Sequence, residues 1–135
     1  MEEYWRFEDI PNFDTEIVGT KLTHLLLNQN LGLIWIVTDE DAAVGYLLAV
    51  YVFSLEYLGI TAEVDEFFLL SSQRGNGIGA KLLMTVEAEL LRNKCTNVSL
   101  QLSRNNESAR AFYYAKGYSD RTKYELLSKS LSRDL

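Results

Sequence analysis

The spacing of apolar and polar residues along the chain predicts which segments form helices and which form strands. From Thr15 to about Asn30, apolar residues recur every three or four positions, which indicates an amphipathic helix. Asp14 is suited to cap its start and Gly32 to end it. The predicted apolar side of this helix comprises Ile17, Val18, Leu22, Leu25 and Leu26.

Three strands are predicted next, because the chain becomes rich in β-branched and aromatic residues. Leu33–Thr38 and Ala43–Phe53 flank the acidic turn Asp39–Asp41, so the pattern predicts an antiparallel hairpin. A loop over Ser54–Gly59 leads to a third strand, Thr61–Leu70.

The second half of the chain alternates helical and extended patterns. Helical spacing returns from Ile78 to about Lys94, followed by a strand over Val98–Leu102 and a short helix over Glu107–Lys116 that Gly117 ends. Tyr118–Ser128 is predicted to form a final strand or pair of strands. We therefore expect a mixed α/β fold in one domain spanning residues 1–135, of which 47% are hydrophobic.

Composition restricts the classes of function. The formal charge of −6 argues against a general nucleic-acid binder, which needs clustered Lys and Arg. Cys95 is the one cysteine, so we expect no intramolecular disulfide and a cytoplasmic location. The longest apolar run, Ala42–Phe53, is too short to span a bilayer, and the first residues show no secretory leader, so no membrane association is expected.

The segment Arg74–Ala80 contains three glycines at alternate positions between a strand and a helix. Such a loop directs backbone N–H groups and the helix N-terminus to one point, which suits a pyrophosphate. A Walker loop is excluded because Ala80-Lys81 replaces its Lys-Ser/Thr ending. The Rossmann fingerprint fits Gly75, Gly77 and Ala80, but the next strand-like run does not end in an acidic residue. Too little chain follows to complete a doubly wound sheet.

Two motifs resemble the GNAT superfamily of N-acetyltransferases. Arg74–Gly79 resembles its R-x-x-G-x-G/A coenzyme A loop. The segment Asn106–Tyr118 resembles its N-x-x-A-x-x-x-Y-x-x-x-G-F/Y signature, with Asn106, Ala109, Tyr113, Gly117 and Tyr118 in place. The resemblance implies a mixed, mostly antiparallel sheet with a central, splayed parallel strand pair flanked by helices. Met1–Phe13 is too short for the usual first strand and helix, so that strand is either absent or replaced.

The resemblance also implies acetyl-CoA as cosubstrate, with no metal. Backbone groups at the end of the third strand would pair with the pantetheine arm, the glycine loop would hold the pyrophosphate, and Lys81 would assist nearby. The predicted cofactor-binding residues are Phe67, Phe68, Leu69, Arg74, Gly75, Asn76, Gly77, Ile78, Gly79, Ala80 and Asn106. Asn106 is equally suited to cap a helix.

Candidate acid and base follow from amine acetylation, in which the amine loses a proton and the thiolate gains one. Tyr113 matches the family tyrosine that protonates the thiolate; the alternative is ordinary aromatic packing. Asp65 and Glu66 are candidate bases, and strand alternation predicts that they point to opposite faces. Val64–Leu69 resembles a stretch of spermidine/spermine acetyltransferases, which implies Asp65 as base and Glu66 as the acid that meets a cationic substrate. Structural contacts to an adjacent loop are the alternative for both.

Glu56 and Tyr57 are candidate substrate-binding residues, because their loop lies where acceptors often bind in this superfamily. Charge and cation–π contact would suit an ammonium group, although a plain surface hairpin is equally compatible with the sequence. His24 is a lone histidine and indicates no metal site, and Cys95 is expected to pack as a small apolar side chain.

The expected function is acetyl transfer from acetyl-CoA to a small-molecule primary amine, with polyamine-like amines among the candidates, by direct attack in a ternary complex. The alternatives are acetylation of a protein amine and a non-catalytic acyl-CoA-binding or regulatory module. A homodimer is a further expectation, since dimers are common among resembling proteins.

Overall fold

The computed structural model describes residues 1–131. Its helices are α1 (Glu2–Phe7), α2 (Thr15–Leu27), α3 (Ile78–Arg92) and α4 (Glu107–Ala115). Its strands are β1 (Gly32–Asp39), β2 (Ala42–Ser54), β3 (Gly59–Leu69) and β4 (Val98–Leu100), and a short 3-10 turn covers Ser71–Gln73. The chain divides into two compact units, Met1–Gln101 and Leu102–Leu135, so the sheet and the first three helices belong to the first unit and α4 to the second.

The four strands form one mixed sheet in the order β1-β2-β3-β4. β1 pairs with β2 and β2 with β3 in antiparallel fashion, whereas β3 and β4 are parallel. Glu40 and Asp41, which join β1 to β2, both have positive φ, a conformation that suits a tight two-residue hairpin turn. The predicted fold class, a mostly antiparallel sheet with one parallel pair and flanking helices, is confirmed.

One part of the core lies between the sheet and α3, and both faces of the sheet carry buried residues. Leu47, Leu83, Val86 and Leu90 are fully buried. Helical spacing places the α3 members of this group on one side of the helix, as the apolar pattern predicts. The other buried apolar residues are Val44, Tyr46, Leu48, Ala49, Ala62, Val64, Leu69, Leu82 and Cys95.

The N-terminal segment forms a helix and not a strand. Within residues 1–13, α1 is the only regular element, and the next one is α2. Within residues 1–131 no strand precedes α2, so α1 is found where the resemblance implies an opening strand. The side chain of Asp14 caps α2 as predicted, accepting from the N–H of Ile17 at 2.9 Å, although the helix ends at Leu27 and not near Asn30.

The predicted final strand or strands over Tyr118–Ser128 are wrong. From Gly117 to Leu131 the structure contains turns and irregular backbone, and nearly all of these side chains are exposed. A strand requires a hydrogen-bonded partner and a buried face, and the polar run Ser119–Lys123 supplies no such face. Aromatic and leucine residues further along the segment suggested a strand that has no pairing partner in the described chain.

Candidate functional site

Strands β3 and β4 separate before β3 ends. Their pairing stops at Val64 and Leu100, whereas β3 continues to Leu69. The N–H of Leu70 donates to the carbonyl of Val44 at 2.9 Å, so antiparallel alternation directs the backbone groups of Leu69 and Phe67 away from β2 and toward the gap. The backbone of Phe68 faces β2. The gap therefore offers backbone groups to an extended ligand.

A β-bulge at Asp65 changes which side chains face which side of the sheet. Ala49 pairs with Val64 and its neighbour Leu48 pairs with Glu66, so Asp65 is the extra residue. Paired residues share a face, and Ala49 and Leu48 alternate, so Glu66 lies on the face opposite Val64. Unbroken alternation would have placed them together. The prediction about the two acids assumed that alternation, which does not hold across Asp65.

The carboxylate of Glu66 is half-buried and held by two neutral donors. The Tyr46 hydroxyl donates to Oε1 at 2.6 Å, and the Trp5 indole Nε1–H donates to Oε2 at 3.0 Å. Burial first, and then the hydrogen bond to Glu66, raise the pKa of Tyr46, so this hydroxyl remains a donor. No cation forms an ion pair with Glu66 or Asp65 within the part of the chain that the structure describes.

An aromatic cluster surrounds this carboxylate on the same face. The Tyr4 ring makes edge contacts with Tyr46 and Phe68 at centroid distances of 6.5 and 6.3 Å. Trp5 packs edge-on against Phe13 at 5.2 Å. The face thus combines carboxylate charge with aromatic rings, which is suited to an organic cation.

Asp65 is exposed over much of its surface, yet its carboxylate is crowded by protein atoms. This partial burial raises its pKa, and repulsion from Glu66 and Glu63 adds to the increase. Glu66 is thus near enough to influence Asp65, and the structure brings the two predicted acids together at the bulge.

The glycine loop forms an open cradle at the start of α3. Gly75 and Gly77 have φ values of +82° and +78°, which favour glycine, and a Cβ at either would meet open space. Gly77 is the N-cap of α3, and no side chain caps this helix, in contrast to α2 and α4. The first N–H groups of α3 therefore lack a side-chain acceptor, and the exposed Lys81 lies in this first turn, so the residues present fit a pyrophosphate.

Arg74 turns back toward β3. Its Nε–H donates to the carbonyl of Leu69 at 2.8 Å, and its guanidinium lies 5.8 Å from the Phe7 ring centroid and 5.2 Å from that of Phe68. Arg74 therefore joins the glycine loop to the end of β3 and to α1. The remaining loop residues, Asn76, Ile78, Gly79 and Ala80, follow this arginine into α3.

The second motif lies in the second unit. The Asn106 side chain caps α4 by accepting from the N–H of Ala109 at 3.2 Å, so the helix-cap interpretation is confirmed. Tyr113 is half-buried and makes edge contacts with Phe112 and Tyr118 at 5.2 and 5.4 Å. Its aromatic packing is therefore present, and its role as an acid stays a prediction.

Glu56 and Tyr57 lie far from the bulge. Their loop joins β2 to β3 at the opposite end of β3, and the strand from Gly59 to Glu66 spans about 20 Å at roughly 3.3 Å per residue. Glu56 is exposed. The Tyr57 carbonyl accepts from Thr96 Oγ1 at 2.9 Å. The structure does not bring this pair together with Asp65 and Glu66.

Sequence reasoning missed the residues that hold Glu66. Tyr46 lies in an apolar run that indicates only a strand, and a bulge leaves no mark in the hydrophobic pattern. The sequence therefore does not predict that Tyr46 and Glu66 share a face. Trp5 carried a weak signal, because Tyr4, Trp5 and Phe7 make the first residues too aromatic for a solvent-exposed tail.

Cys95 and His24 have a plain structural description. Cys95 is buried after α3, and burial raises its pKa. His24 lies near Asn28 on α2, with 3.4 Å between Nδ1 and the Asn28 Nδ2. Within residues 1–131, no helix is long and apolar enough to cross a membrane, and no cluster of three metal-ligating side chains occurs.

Comparison with known proteins agrees with this geometry. Residues 1–118 match the model of the acetyltransferase (GNAT) family. An integron cassette protein from the mobile metagenome of Cole Harbour Salt Marsh is 26% identical, with a TM-score of 0.82 over 97% of this chain and 79% of that one.

Two structures of lower identity share the fold. A possible acetyltransferase from Clostridium difficile 630 has 16% identity and a TM-score of 0.82 over 97% of this chain and 88% of its own. The aminoglycoside antibiotic 6'-N-acetyltransferase from Acinetobacter haemolyticus has 17% identity and a TM-score of 0.70 over 97% of this chain and 92% of its own.

Proposed function

The chain belongs to the GNAT family of acetyltransferases, whose cosubstrate is acetyl-CoA, and we propose that it acetylates the primary amine of a small molecule. The observation that carries this proposal is the half-buried Glu66 carboxylate beside the gap between β3 and β4. A base and an acyl-donor groove adjoin there. Amine acetylation requires both, because the amine must lose a proton as it attacks.

The groove and the glycine loop would hold the donor. The backbone groups of Phe67 and Leu69 face the gap and suit the amides of an extended pantetheine arm. The uncapped N-terminus of α3 and the loop Gly75–Ala80 suit the pyrophosphate. Acetyl-CoA supplies the acetyl group as a reactive thioester.

Proton transfer would be divided between two residues. Glu66 or its neighbour Asp65 accepts the proton of the amine, which frees the nitrogen lone pair for attack. Tyr113, protonated at neutral pH, donates its hydroxyl proton to the departing thiolate. We propose direct attack in a ternary complex, since the one cysteine, Cys95, is buried and its pKa is raised, which makes it a poor nucleophile.

A cationic acceptor is supported by the surroundings of Glu66. Within residues 1–131, Glu66 and Asp65 have no ion-pair partner, and the rings of Tyr4 and Phe68 lie nearby. A desolvated ammonium is stabilised both by such charge and by ring faces. Polyamine-like amines fit this chemistry. Solved structures with this fold include an aminoglycoside 6'-N-acetyltransferase and a ribosomal-protein-alanine N-acetyltransferase, so the fold alone does not select the acceptor.

The test is thiol release from acetyl-CoA by the purified protein with polyamines, aminoglycosides, amino acids and peptides, with acetyl-CoA affinity measured by calorimetry. We expect turnover with at least one small amine. Turnover with peptides only would move the acceptor to a protein amine, and acetyl-CoA binding that supports no turnover would favour a binding module. Absence of acetyl-CoA binding would overturn the proposal.

A further inference from the structure

We propose that Tyr46 and Trp5 are positioning residues that fix the Glu66 carboxylate in the orientation needed to take a proton from the acceptor amine. This inference rests on the proposed function for its catalytic part. Neither residue belongs to either motif of the chain, and the two come from different elements, β2 and α1.

Each carboxylate oxygen has its own donor. Tyr46 lies two residues from Leu48, the pairing partner of Glu66, so its side chain shares the face of Glu66 and reaches Oε1 at 2.6 Å. Trp5 reaches Oε2 at 3.0 Å. Two donors at separate oxygens restrict rotation of the carboxylate plane, which one donor would not do.

Both donors are neutral, and this has a chemical consequence. An arginine or lysine partner would neutralise Glu66 and compete with a cationic amine, whereas a phenol and an indole stabilise the carboxylate without removing its net charge. A carboxylate has about four lone-pair directions, so two occupied sites leave room for the amine. The proton then moves from nitrogen to a Glu66 oxygen, and the nitrogen lone pair attacks.

The bulge makes this arrangement possible. If Asp65 paired regularly with β2, Glu66 would share the face of Val64 and would not meet Tyr46. Trp5 in turn is held by its edge contact with Phe13 at 5.2 Å. Residues of α1 and of the segment after it are therefore parts of the acceptor site.

The first test needs no turnover. The chain has two tryptophans, Trp5 and Trp35, so its spectrum contains two indole N–H signals. In nitrogen-15 NMR, we expect Glu66→Gln to shift the Trp5 signal, because the indole N–H loses a charged acceptor. Tyr46→Phe should also shift the Trp5 signal, because a carboxylate that has lost one of its two donors changes its orientation toward the other.

Tyr51→Phe is the matched control. Tyr51 lies on the same strand and the opposite face, so the same chemical change occurs away from Glu66. It should leave the Trp5 signal unchanged. A Trp5 signal that does not respond to Glu66→Gln, or a Tyr46→Phe shift no larger than that of Tyr51→Phe, would overturn the inference.

The second test uses the amine identified in the turnover assay. We expect Tyr46→Phe and Trp5→Phe each to lower kcat by roughly 10- to 100-fold, the cost of misplacing a catalytic group by up to an ångström, with the KM for acetyl-CoA unchanged. Normal kcat in both variants would refute the positioning role while leaving the acetyltransferase assignment intact.

Discussion

The two ends of β3 carry similar residues in different surroundings. At one end, which we call the bulge end, Asp65 and Glu66 stand among Tyr4, Tyr46 and Phe68. At the other, the hairpin end, Glu56 and Tyr57 lie in the loop between β2 and β3. Both pairs qualify as candidates for binding a cation if only residue types are considered.

The difference between the ends is desolvation. Glu66 is half-buried and held by two hydrogen bonds, whereas Glu56 is exposed in a loop. A charge near protein atoms interacts more strongly with a ligand than one surrounded by water, because the effective dielectric constant is lower. Residue type therefore identifies candidates, and the backbone that carries them decides which can act.

The largest expected effect is that of Glu66→Gln. The substitution keeps the size of the side chain and removes its basicity, so we expect kcat for the amine to fall by roughly 10²- to 10⁴-fold with acetyl-CoA affinity unchanged. Steady-state kinetics and calorimetry would measure both quantities.

Glu63→Gln is the control for this substitution. Glu63 lies on the same strand, paired with Ser99 of β4, and its Oε1 accepts from Gln101 at 3.1 Å. It should retain nearly full activity. If Glu66→Gln and Glu63→Gln behaved alike, the bulge end would lose its distinction as the site of the base.

The contrast between the ends also shows what the sequence alone can predict. The strands, the start of α3 and the cap of α4 by Asn106 were predictable, because periodicity, glycine spacing and capping residues are local signals. The bulge at Asp65 was not, since one extra residue in an apolar run leaves the pattern unchanged. The predicted strand after Tyr118 was wrong because pairing depends on a distant partner that local residues do not encode.

The next largest effect is expected in the glycine loop that follows the bulge end. Gly77→Ala would force a side chain into a φ of +78°, at a cost of about 1–2 kcal/mol of folding stability unless the loop changes shape. Either response disturbs the N–H groups at the start of α3, so we expect acetyl-CoA binding to weaken about tenfold. Thermal denaturation and calorimetry would measure the two effects.

Gly19→Ala is the matched glycine control. Gly19 lies inside α2, and a Cβ there would meet nothing within 4 Å. This substitution should stabilise the protein by roughly 0.5–1 kcal/mol and leave acetyl-CoA binding unchanged. Equal binding losses in both variants would show that the effect does not come from the loop.

A smaller effect is expected for Asp65→Asn. Burial and the charges of Glu66 and Glu63 raise the pKa of Asp65 above its ordinary value of 3.8 in the folded protein. Between pH 3.8 and the raised pKa, the folded state therefore binds more protons than the unfolded state, and the stability of the protein falls as pH rises through this window. The substitution removes that loss, so the melting temperature should increase at pH 7.

The pH dependence distinguishes this explanation from a general packing effect. Below pH 3.8, Asp65 is protonated in both states, so the gain from Asp65→Asn should disappear there. A gain of the same size at every pH would contradict the electrostatic cause. Melting curves of both proteins across the acid range would decide between them.

The smallest effect is expected at the hairpin end, for Glu56→Gln. Exposed substitutions usually change free energies by less than about 0.5 kcal/mol, so kcat/KM for the amine should stay within roughly twofold of the unmodified protein. Since about 20 Å of β3 separates Gly59, where the loop of Glu56 ends, from Glu66, only a long acceptor would reach both. Competition kinetics with short and long polyamines therefore sharpens the test. If Glu56→Gln weakened the long amine alone, the acceptor would extend along the strand and the hairpin end would belong to the site.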